Sequence, residues 1–368
     1  MKVILLVSSL DCGGAERVAS TLCNAWAARG DSVTLISTFS GGGDSFYALH
    51  KGVDLLYLSE MIGNTKSKGK QYISRFRQLR RLIRKTKPDV VISFLPNVNI
   101  AALAATAFSG VPCIVCERSD PSVTPIGWTW RTACGLLYRY ADLVLVQTKA
   151  VATSIHQVYG GLKRVSSAPN PLPGDLLHWQ ASGSGSGRKT LLSLGRLSSE
   201  KRIDLIIETF AQLAPKYPDW DLHIYGDGPQ RSELHVRIVD LDLEERVFLL
   251  GSTIEPWRVM AEADVFVMAS RYEGFPNALL EAMGVGLPCV TTDCPSGPRE
   301  ISCDGNDALL IRMEDREDLC NALTRLMSDP ILRQELGHKA RAAVVARYAL
   351  ESVLKVWDEK FALVGVRI

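Results

Sequence analysis

Glu273 and Glu281 stand eight residues apart in Arg271-Tyr272-Glu273-Gly274-Phe275-Pro276-Asn277-Ala278-Leu279-Leu280-Glu281. Gly274 and Pro276 break the chain after the first carboxylate, and the second falls two turns into the helical pattern that follows. The run Asp264-Val-Phe-Val-Met-Ala-Ser270 just upstream is apolar and of strand length. Strand, loop and helix in that order place both carboxylates near the carboxyl edge of a parallel sheet, where open α/β folds bind ligands. Carboxylates there accept hydrogen bonds from hydroxyl-rich ligands such as sugars and ribose. Taken alone, the pair reads equally well as one solvated Glu and one capping Glu.

A second segment repeats the arrangement. Leu191-Leu-Ser-Leu194 reads as a strand, Gly195-Arg196-Leu-Ser-Ser-Glu-Lys201-Arg-Ile as a loop, and 204–213 as an amphipathic helix. Arg196 and Lys201 bracket the helix start. Backbone N–H groups at a helix N-terminus favour an anion, and a fork-shaped Arg with a point-charge Lys completes a diphosphate site. Joined to Glu273 and Glu281, these pieces describe a nucleotide-sugar, with diphosphate at one end and hydroxyls at the other.

In order along the chain, Gly13-Gly14-Ala-Glu16-Arg17, Gly195-Arg196…Lys201, Tyr225-Gly226-Asp227-Gly228-Pro229 and Glu273-(seven residues)-Glu281 resemble family 4 of the retaining glycosyltransferases. The resemblance covers nearly the whole chain. It implies the GT-B fold, an α/β architecture of two Rossmann-like domains with parallel sheets facing each other across a cleft. It implies that Arg196 and Lys201 hold the donor diphosphate, that Glu281 binds the ribose hydroxyls, and that Glu273 contacts the donor sugar. Gly274, Phe275, Pro276 and Asn277 complete the donor loop. The chemical step falls to Glu273, Arg196 and Lys201, with front-face attack assisted by the leaving phosphate, no protein nucleophile, no cofactor and no metal.

Strand-like runs alternate with helical patterns throughout, which argues for parallel sheets. The first set lies at 3–8, 33–38, 53–58, 90–94, 113–116 and 143–147. The second lies at 191–194, 221–225, 247–250, 265–268, 289–292 and 308–311. The sequence therefore predicts an acceptor- and membrane-binding domain over 1–171, a Gly/Ser-rich linker over 172–189, and a nucleotide-sugar domain over 190–349. Helical patterns close the chain at 316–326 and 331–363, and residues 350–368 are expected to return to the first domain. After the first strand, Gly13 and Gly14 permit close backbone approach to a phosphate or sugar, or simply make a tight turn.

At 368 residues the chain is long for one core, and its composition is that of a globular protein. The net charge of +2 hides an asymmetry. Residues 1–171 carry 20 Lys+Arg against 10 Asp+Glu, and the remainder 22 against 30. A basic first half suits an anionic partner. Nine scattered cysteines read as reduced thiols of a cytosolic protein. Cys113 and Cys116 fall three apart on a strand, pointing to opposite faces, and no second CxxC exists to complete a zinc site. None of the six His residues has metal-ligand spacing. No signal peptide precedes Asp11, and the uncharged stretch 90–116 is broken by Pro96, Gly110 and Pro112 into pieces too short to span a bilayer.

From Met61 to Pro88 there are ten Lys/Arg and no acid. On a helical wheel Tyr72, Phe76, Leu79 and Ile83 form one stripe; Lys70, Arg77, Arg80, Arg81, Arg84 and Lys85 lie opposite, and Arg75 strays. That face suits anionic headgroups or a polyprenyl-diphosphate acceptor, or is a solvated surface. Nucleic acid is disfavoured, because no stacking aromatics or recognition module accompany it. The chain further resembles the N-acetylgalactosaminyltransferase-like subset that extends polyprenyl-diphosphate-linked oligosaccharides, in which a basic helix at this place reads the acceptor's diphosphate.

Many family members carry a His after the strand at 113–116; here Glu117-Arg118-Ser119 follows, as in that subset. Gly13, Gly14, Arg77, Arg81, Arg84, Glu117 and Arg118 thus form the expected acceptor and phosphate set. The resulting expectation is a retaining, metal-independent transferase moving an N-acetylhexosamine or hexose from a UDP-sugar to a lipid-diphosphate-linked saccharide. It would sit peripherally on the inner face of the cell membrane and serve bacterial glycan synthesis. A GT-B nucleotide-sugar epimerase, a transferase using a soluble acceptor, an NAD-dependent enzyme and a non-catalytic scaffold are the rival readings. The NAD reading is weakened by Gly13-Gly14 in place of G-x-G-x-x-G.

Overall fold

Near-continuous Val, Ile and Leu runs, the mark of strands covered on both faces, form two all-parallel sheets. The computed structural model describes residues 1–11, 13–39, 42–43, 45–61, 68–124, 127–183, 185 and 187–367, with only the backbone of 68–70. The chain divides into two units, Met1–Pro171 with Leu350–Ile368, and Leu172–Ala349.

The first unit contains β1 (Lys2–Val7), α1 (Gly14–Ala28), β2 (Ser32–Ser37), β3 (Val53–Tyr57), α2 (Lys68–Thr86), β4 (Val90–Phe94), α3 (Pro96–Thr106), β5 (Cys113–Cys116), α4 (Trp128–Leu137), β6 (Leu143–Val146), α5 (Lys149–Val158) and β7 (Val165–Ser167). Its sheet runs β3-β2-β1-β4-β5-β6-β7. The sequence reading lacks β7, whose three residues Val-Ser-Ser are too short and too polar to stand out.

The second unit contains β8 (Lys189–Leu194), α6 (Ile203–Leu213), β9 (Trp220–Tyr225), α7 (Arg231–Asp240), β10 (Val247–Gly251), α8 (Pro256–Ala261), β11 (Val265–Met268), α9 (Asn277–Val285), β12 (Cys289–Thr292), α10 (Pro298–Ile301), β13 (Leu309–Ile311), α11 (Arg316–Ser328) and α12 (Pro330–Tyr348). Its sheet runs β10-β9-β8-β11-β12-β13. A last helix, α13 (Leu350–Leu363), belongs to the first unit.

Period-two alternation places a hydrophobic layer on each face of each sheet. Val3, Leu5 and Val7 of β1 pack with Val18, Leu22 and Trp26 of α1 and with Trp357 and Phe361 of α13. Trp26 meets Trp357 edge-on, with ring centroids 5.5 Å apart. Ile4 and Leu6 face the other way, toward Leu79 and Ile83 of α2, Val98 of α3 and Ile155 of α5. Cys116 joins the first layer and Cys113 the second, and the described cysteines are all free. Burial pushes the Cys113 thiol up to about 12, so it is an inert core residue.

The helical pattern 331–363 is divided at Ala349 (φ −52°, ψ 147°), and the residues from Leu350 on, expected to return to the first domain, group with the first unit. No Gly or Pro marks that break. The stretch 172–189, expected as a linker, is partly packed. Residues Gly174–His178 form a short 3-10 helix, and Leu172 and Leu176 are buried in the apolar layer under α9 and α12. Their two leucines outweigh the Gly/Ser composition that follows them.

Candidate functional site

In the second sheet the strand order reverses between β8 and β11. From β8 the chain steps outward through β9 to β10, and from β11 it steps the other way to β13. Loops at the carboxyl ends of two such strands diverge and leave room for a ligand. Those loops are 195–202 after β8 and 269–276 after β11. They carry Arg196 and Lys201 on one side and Glu273 on the other.

The two loops are joined. Lys201 Nζ donates to Glu273 Oε1 at 2.6 Å, and Ser270 Oγ donates to the same oxygen at 2.7 Å. The backbone N–H of Arg271 donates to Glu200 O at 2.8 Å. Ser296 Oγ donates to Glu273 O at 2.7 Å, fixing the loop from the β12 side. The Glu273 side chain is only 10% exposed and Lys201 25%, so the pair sits at the mouth of the site. Arg196 is exposed. Burial pushes the nearby Glu200 carboxyl up, but the Ser198 hydroxyl, its own backbone N–H, Lys201 and Arg196 outweigh this and hold it below the usual carboxylate range.

Glu281 lies in α9 and is 3% exposed. Trp257 Nε1 of α8 donates to its Oε2 at 3.0 Å. Phe275 and Pro276 are buried, and Phe275 packs against Tyr348 with centroids 5.8 Å apart. The Phe275 ring anchors the loop in the apolar layer. Gly274 and Asn277 flank it, with Asn277 opening α9. Gly297, at φ 86°, lies against this loop, and a Cβ there would come within 2.5 Å of Pro276 Cδ.

The motif Tyr225-Gly226-Asp227-Gly228-Pro229 acts as a clamp on the Arg196 loop. Gly195 N–H donates to Tyr225 O at 2.9 Å, Leu197 N–H to Asp227 O at 3.0 Å, and Gln230 N–H to Leu197 O at 3.0 Å. A Cβ on Gly226, whose φ is 137°, would lie 1.9 Å from Gly195 O. No side chain fits so close an approach. Sequence reasoning missed Ser270, Ser296 and Trp257. Ser270, at the strand's exit three residues before Glu273, carried a positional signal; Trp257 and Ser296 come from separate elements and carried none.

In the first unit the order reverses between β1 and β4. Gly13 and Gly14 follow β1, and Gly14 opens α1. A Cβ on Gly13 would lie 2.1 Å from Glu16 Oε2. Arg118, after β5, stacks over Phe94 at 4.4 Å and donates to Asn170 Oδ1 at 2.6 Å. Burial lowers its guanidinium to about 10, opposed by Glu16 among others. Glu117 does not belong with a phosphate site. It is 1% exposed and accepts from the Tyr138 hydroxyl. That hydroxyl in turn accepts from Asn99 Nδ2 at 2.9 Å, and Ser93 Oγ donates to Asn99 Oδ1 at 2.7 Å. Burial pushes its carboxyl up to about 7, against the lowering effect of Tyr138. A strand of odd and even positions explains the split: neighbouring residues leave β5 on opposite faces.

The acid-free segment forms α2 from Lys68; residues 62–67 and the Lys70 side chain lie outside the described set. Leu79 and Ile83 are buried, but Tyr72 is 58% exposed, so the apolar stripe enters the core only in its second half. Arg77, Arg81, Arg84 and Lys85 are exposed. Arg80 turns inward and donates to the carbonyls of Ala104 and Ala107 at 3.3 and 3.2 Å, capping the end of α3. Arg75 lies 5.7 Å over the Phe39 ring. Among the described residues no helix is long and apolar enough to cross a membrane, and no group of three His, Cys, Asp or Glu side chains is gathered as for a metal ion.

Two family models match the chain. Glycosyltransferase Family 4 matches residues 12–173, and Glycosyl transferases group 1 matches 178–343. An exopolysaccharide phosphotransferase of Streptomyces coelicolor is 30% identical over 98% of this chain, which spans 40% of that longer protein. An N-acetylgalactosamine-N,N'-diacetylbacillosaminyl-diphospho-undecaprenol 4-alpha-N-acetylgalactosaminyltransferase of Campylobacter jejuni is 28% identical over 96% of this chain and 99% of its own. Among solved structures, HepE of Anabaena in complex with UDP superimposes with a TM-score of 0.80, covering 98% of this chain and 100% of that one at 18% identity. That likeness gives the fold, GT-B, its two Rossmann-like units built on parallel sheets of seven and six strands.

Proposed function

The chain belongs to glycosyltransferase family 4, and on that footing we propose that it moves a sugar from a UDP-sugar to a polyprenyl-diphosphate-linked saccharide with retention at the anomeric carbon. The observation that carries this reading is the meeting of Lys201 and Glu273, 2.6 Å apart, at the strand reversal of the second sheet.

In this reading the donor diphosphate lies against Arg196 and Lys201, the ribose against Glu281, and the sugar against Glu273. As the glycosidic bond breaks, positive charge grows on the anomeric carbon and negative charge on the departing diphosphate. Lys201 and Arg196 stabilise that leaving group; a preorganised donor of this kind contributes roughly 3–4 kcal/mol. Glu273 holds Lys201 in place beforehand, so little reorganisation is needed when the charge develops. The diphosphate then takes the acceptor's proton on the same face, with no protein nucleophile. No metal ion is required for charge neutralisation.

The UDP in HepE and the undecaprenyl-linked substrate named for the Campylobacter relative support the choice of donor and acceptor. Arg77, Arg81 and Arg84 on α2 provide the cationic face for the acceptor's diphosphate and an anionic membrane surface. Gly13, Gly14 and Arg118 border the acceptor end. The deciding experiment is incubation with a panel of nucleotide-sugars, reading nucleotide release with and without a lipid-diphosphate-linked saccharide. Release that depends on the lipid and yields an α-linked product is expected. Free sugar released without acceptor would favour an epimerase of the same fold, and transfer only to soluble sugars would remove the lipid-linked substrate.

A further inference from the structure

Helix α4 and the turn after it expose a stripe that α2 does not explain. Trp128, Thr132 and Leu136 recur every four residues and so share one side of α4, and Tyr140 follows in the turn after it. Trp128 is 78% exposed, Leu136 54% and Tyr140 68%. Cys134 and Tyr138 turn into the core and are fully buried, while Trp130, on the other side of the helix from Trp128, is 46% exposed. Arg131 and Arg139 flank the stripe, and both are exposed.

Helix α3 packs on both α2 and α4, so the three lie side by side over one face of the sheet. Between residues 90 and 141 the only acids are Glu117 and Asp120, and both are buried. Residues 61–88 contain none. Asp89, between these stretches, accepts from the backbone N–H of Lys2 at 2.6 Å. The exposed apolar side chains of α4 are thus flanked by Arg131 and Arg139, and the next acid along the chain, Asp142, accepts from the backbone N–H of Cys113 at 2.8 Å.

We propose that Trp128 and Leu136 of α4, with Tyr140 in the turn after it, insert into the interfacial layer of an anionic bilayer, with Arg131 and Arg139 at the headgroups. Trp and Tyr favour that layer because one end of each is apolar and the other polar. A short amphipathic segment with arginines beside aromatic and aliphatic groups lies in the interface without spanning it. Charge complementarity selects this occupant over a second copy, since two such faces brought together would set arginine against arginine. The inference rests on the membrane-proximal reading above and adds an apolar anchor to the electrostatic one. The two contacts differ in kind: that of α2 weakens with salt, whereas that of α4 persists.

The test is partition onto phosphatidylglycerol–phosphatidylcholine vesicles at low and high salt. The wild type is compared with Trp128→Ser/Leu136→Ser/Tyr140→Ser and with the apolar control Trp128→Phe/Leu136→Met/Tyr140→Phe. All three positions are exposed, and unchanged melting temperature and circular dichroism confirm each fold. The serine variant should lose about tenfold or more in partition at both salt concentrations, while the apolar control stays within a few-fold of wild type. Brominated lipid should quench wild-type tryptophan emission, and quenching should fall in Trp128→Phe. Wild-type partition by the serine variant, emission indifferent to brominated lipid, or absence of wild-type vesicle binding would each overturn the inference. So would a concentration-dependent dimer that the serine substitutions abolish. Nucleotide release is measured on the same preparations. If sugar transfer fails while vesicle binding and quenching persist, the transferase reading falls and the α4 anchor stands.

Discussion

Lys201 Nζ lies 2.6 Å from Glu273 Oε1, and this ion pair ties the loop after β8 to the loop after β11. In the proposed reading both groups touch the donor, and here each is the other's partner. Removing Lys201 leaves the largely buried Glu273 carboxylate with Ser270 but without its counter-charge. Lys201→Ala should lower kcat by roughly 10²–10³, and Glu273→Gln should lower it comparably. The double variant should fall well short of the product of the two losses, because groups acting as a unit are non-additive. Steady-state rates around the cycle check this; strictly multiplicative losses would separate the two residues.

Glu281 is held by Trp257 Nε1 at 3.0 Å and is 3% exposed. Glu281→Gln should weaken UDP binding about ten- to a hundredfold, since hydrogen bonds to a charged group contribute roughly 1.5–3 kcal/mol. Trp257→Phe removes the orienting bond and should have a smaller effect in the same direction. Calorimetric titration with UDP measures both. Unchanged affinity in a folded Glu281→Gln protein rules out ribose binding at this residue.

Activity should survive chelation. In the proposed reading Arg196 and Lys201 supply the positive charge at the strand reversal that an ion would otherwise bring. Turnover in EDTA should match that in magnesium. Loss in EDTA restored by manganese or magnesium would assign leaving-group stabilisation to an ion.

Reversing Arg77, Arg81 and Arg84 to Glu should raise the apparent KM for a lipid-diphosphate acceptor while leaving UDP affinity unchanged. All three are exposed on α2. Each basic residue near an anionic surface contributes about 1 kcal/mol, fading within a Debye length. Acceptor titration at two salt concentrations checks it; an unaltered KM would make the face merely solvated.

Burial raises the Glu117 carboxyl from 4.5 to about 7. A carboxyl raised in the folded state binds its proton more tightly there than in the unfolded chain. Its contribution is therefore fully present below about pH 4.5, declines as pH rises through about 7, and is flat above. The span corresponds to about 3 kcal/mol at most. Chemical denaturation from pH 4 to 8 should show Glu117→Gln flattening this slope relative to wild type. Parallel curves would mean that the carboxyl is ionised throughout.

The strands of both sheets were legible wherever they formed long apolar runs, because a strand covered on both faces must be apolar at successive positions. The Ser-containing β7 carried too little of that signal. Arg196, Lys201, Glu273 and Glu281 were legible because strand, loop and helix recur around them, and that order alone assigns residues to a sheet's carboxyl edge. Spacing along the chain could not show that Lys201 reaches Glu273, 72 residues away; only the pairing of β8 beside β11 brings their loops together. The same limit hid Trp257 behind Glu281 and Ser296 behind Glu273. Sequence also placed Glu117 with Arg118, as neighbours in one motif. The fold separated them, turning the first into the core beside Tyr138 and the second over Phe94. Local pattern determines which residues lie on which element, since it is set by backbone geometry. Which element lies beside which is decided by burial of the apolar layers, and the contacts of the site follow from that packing.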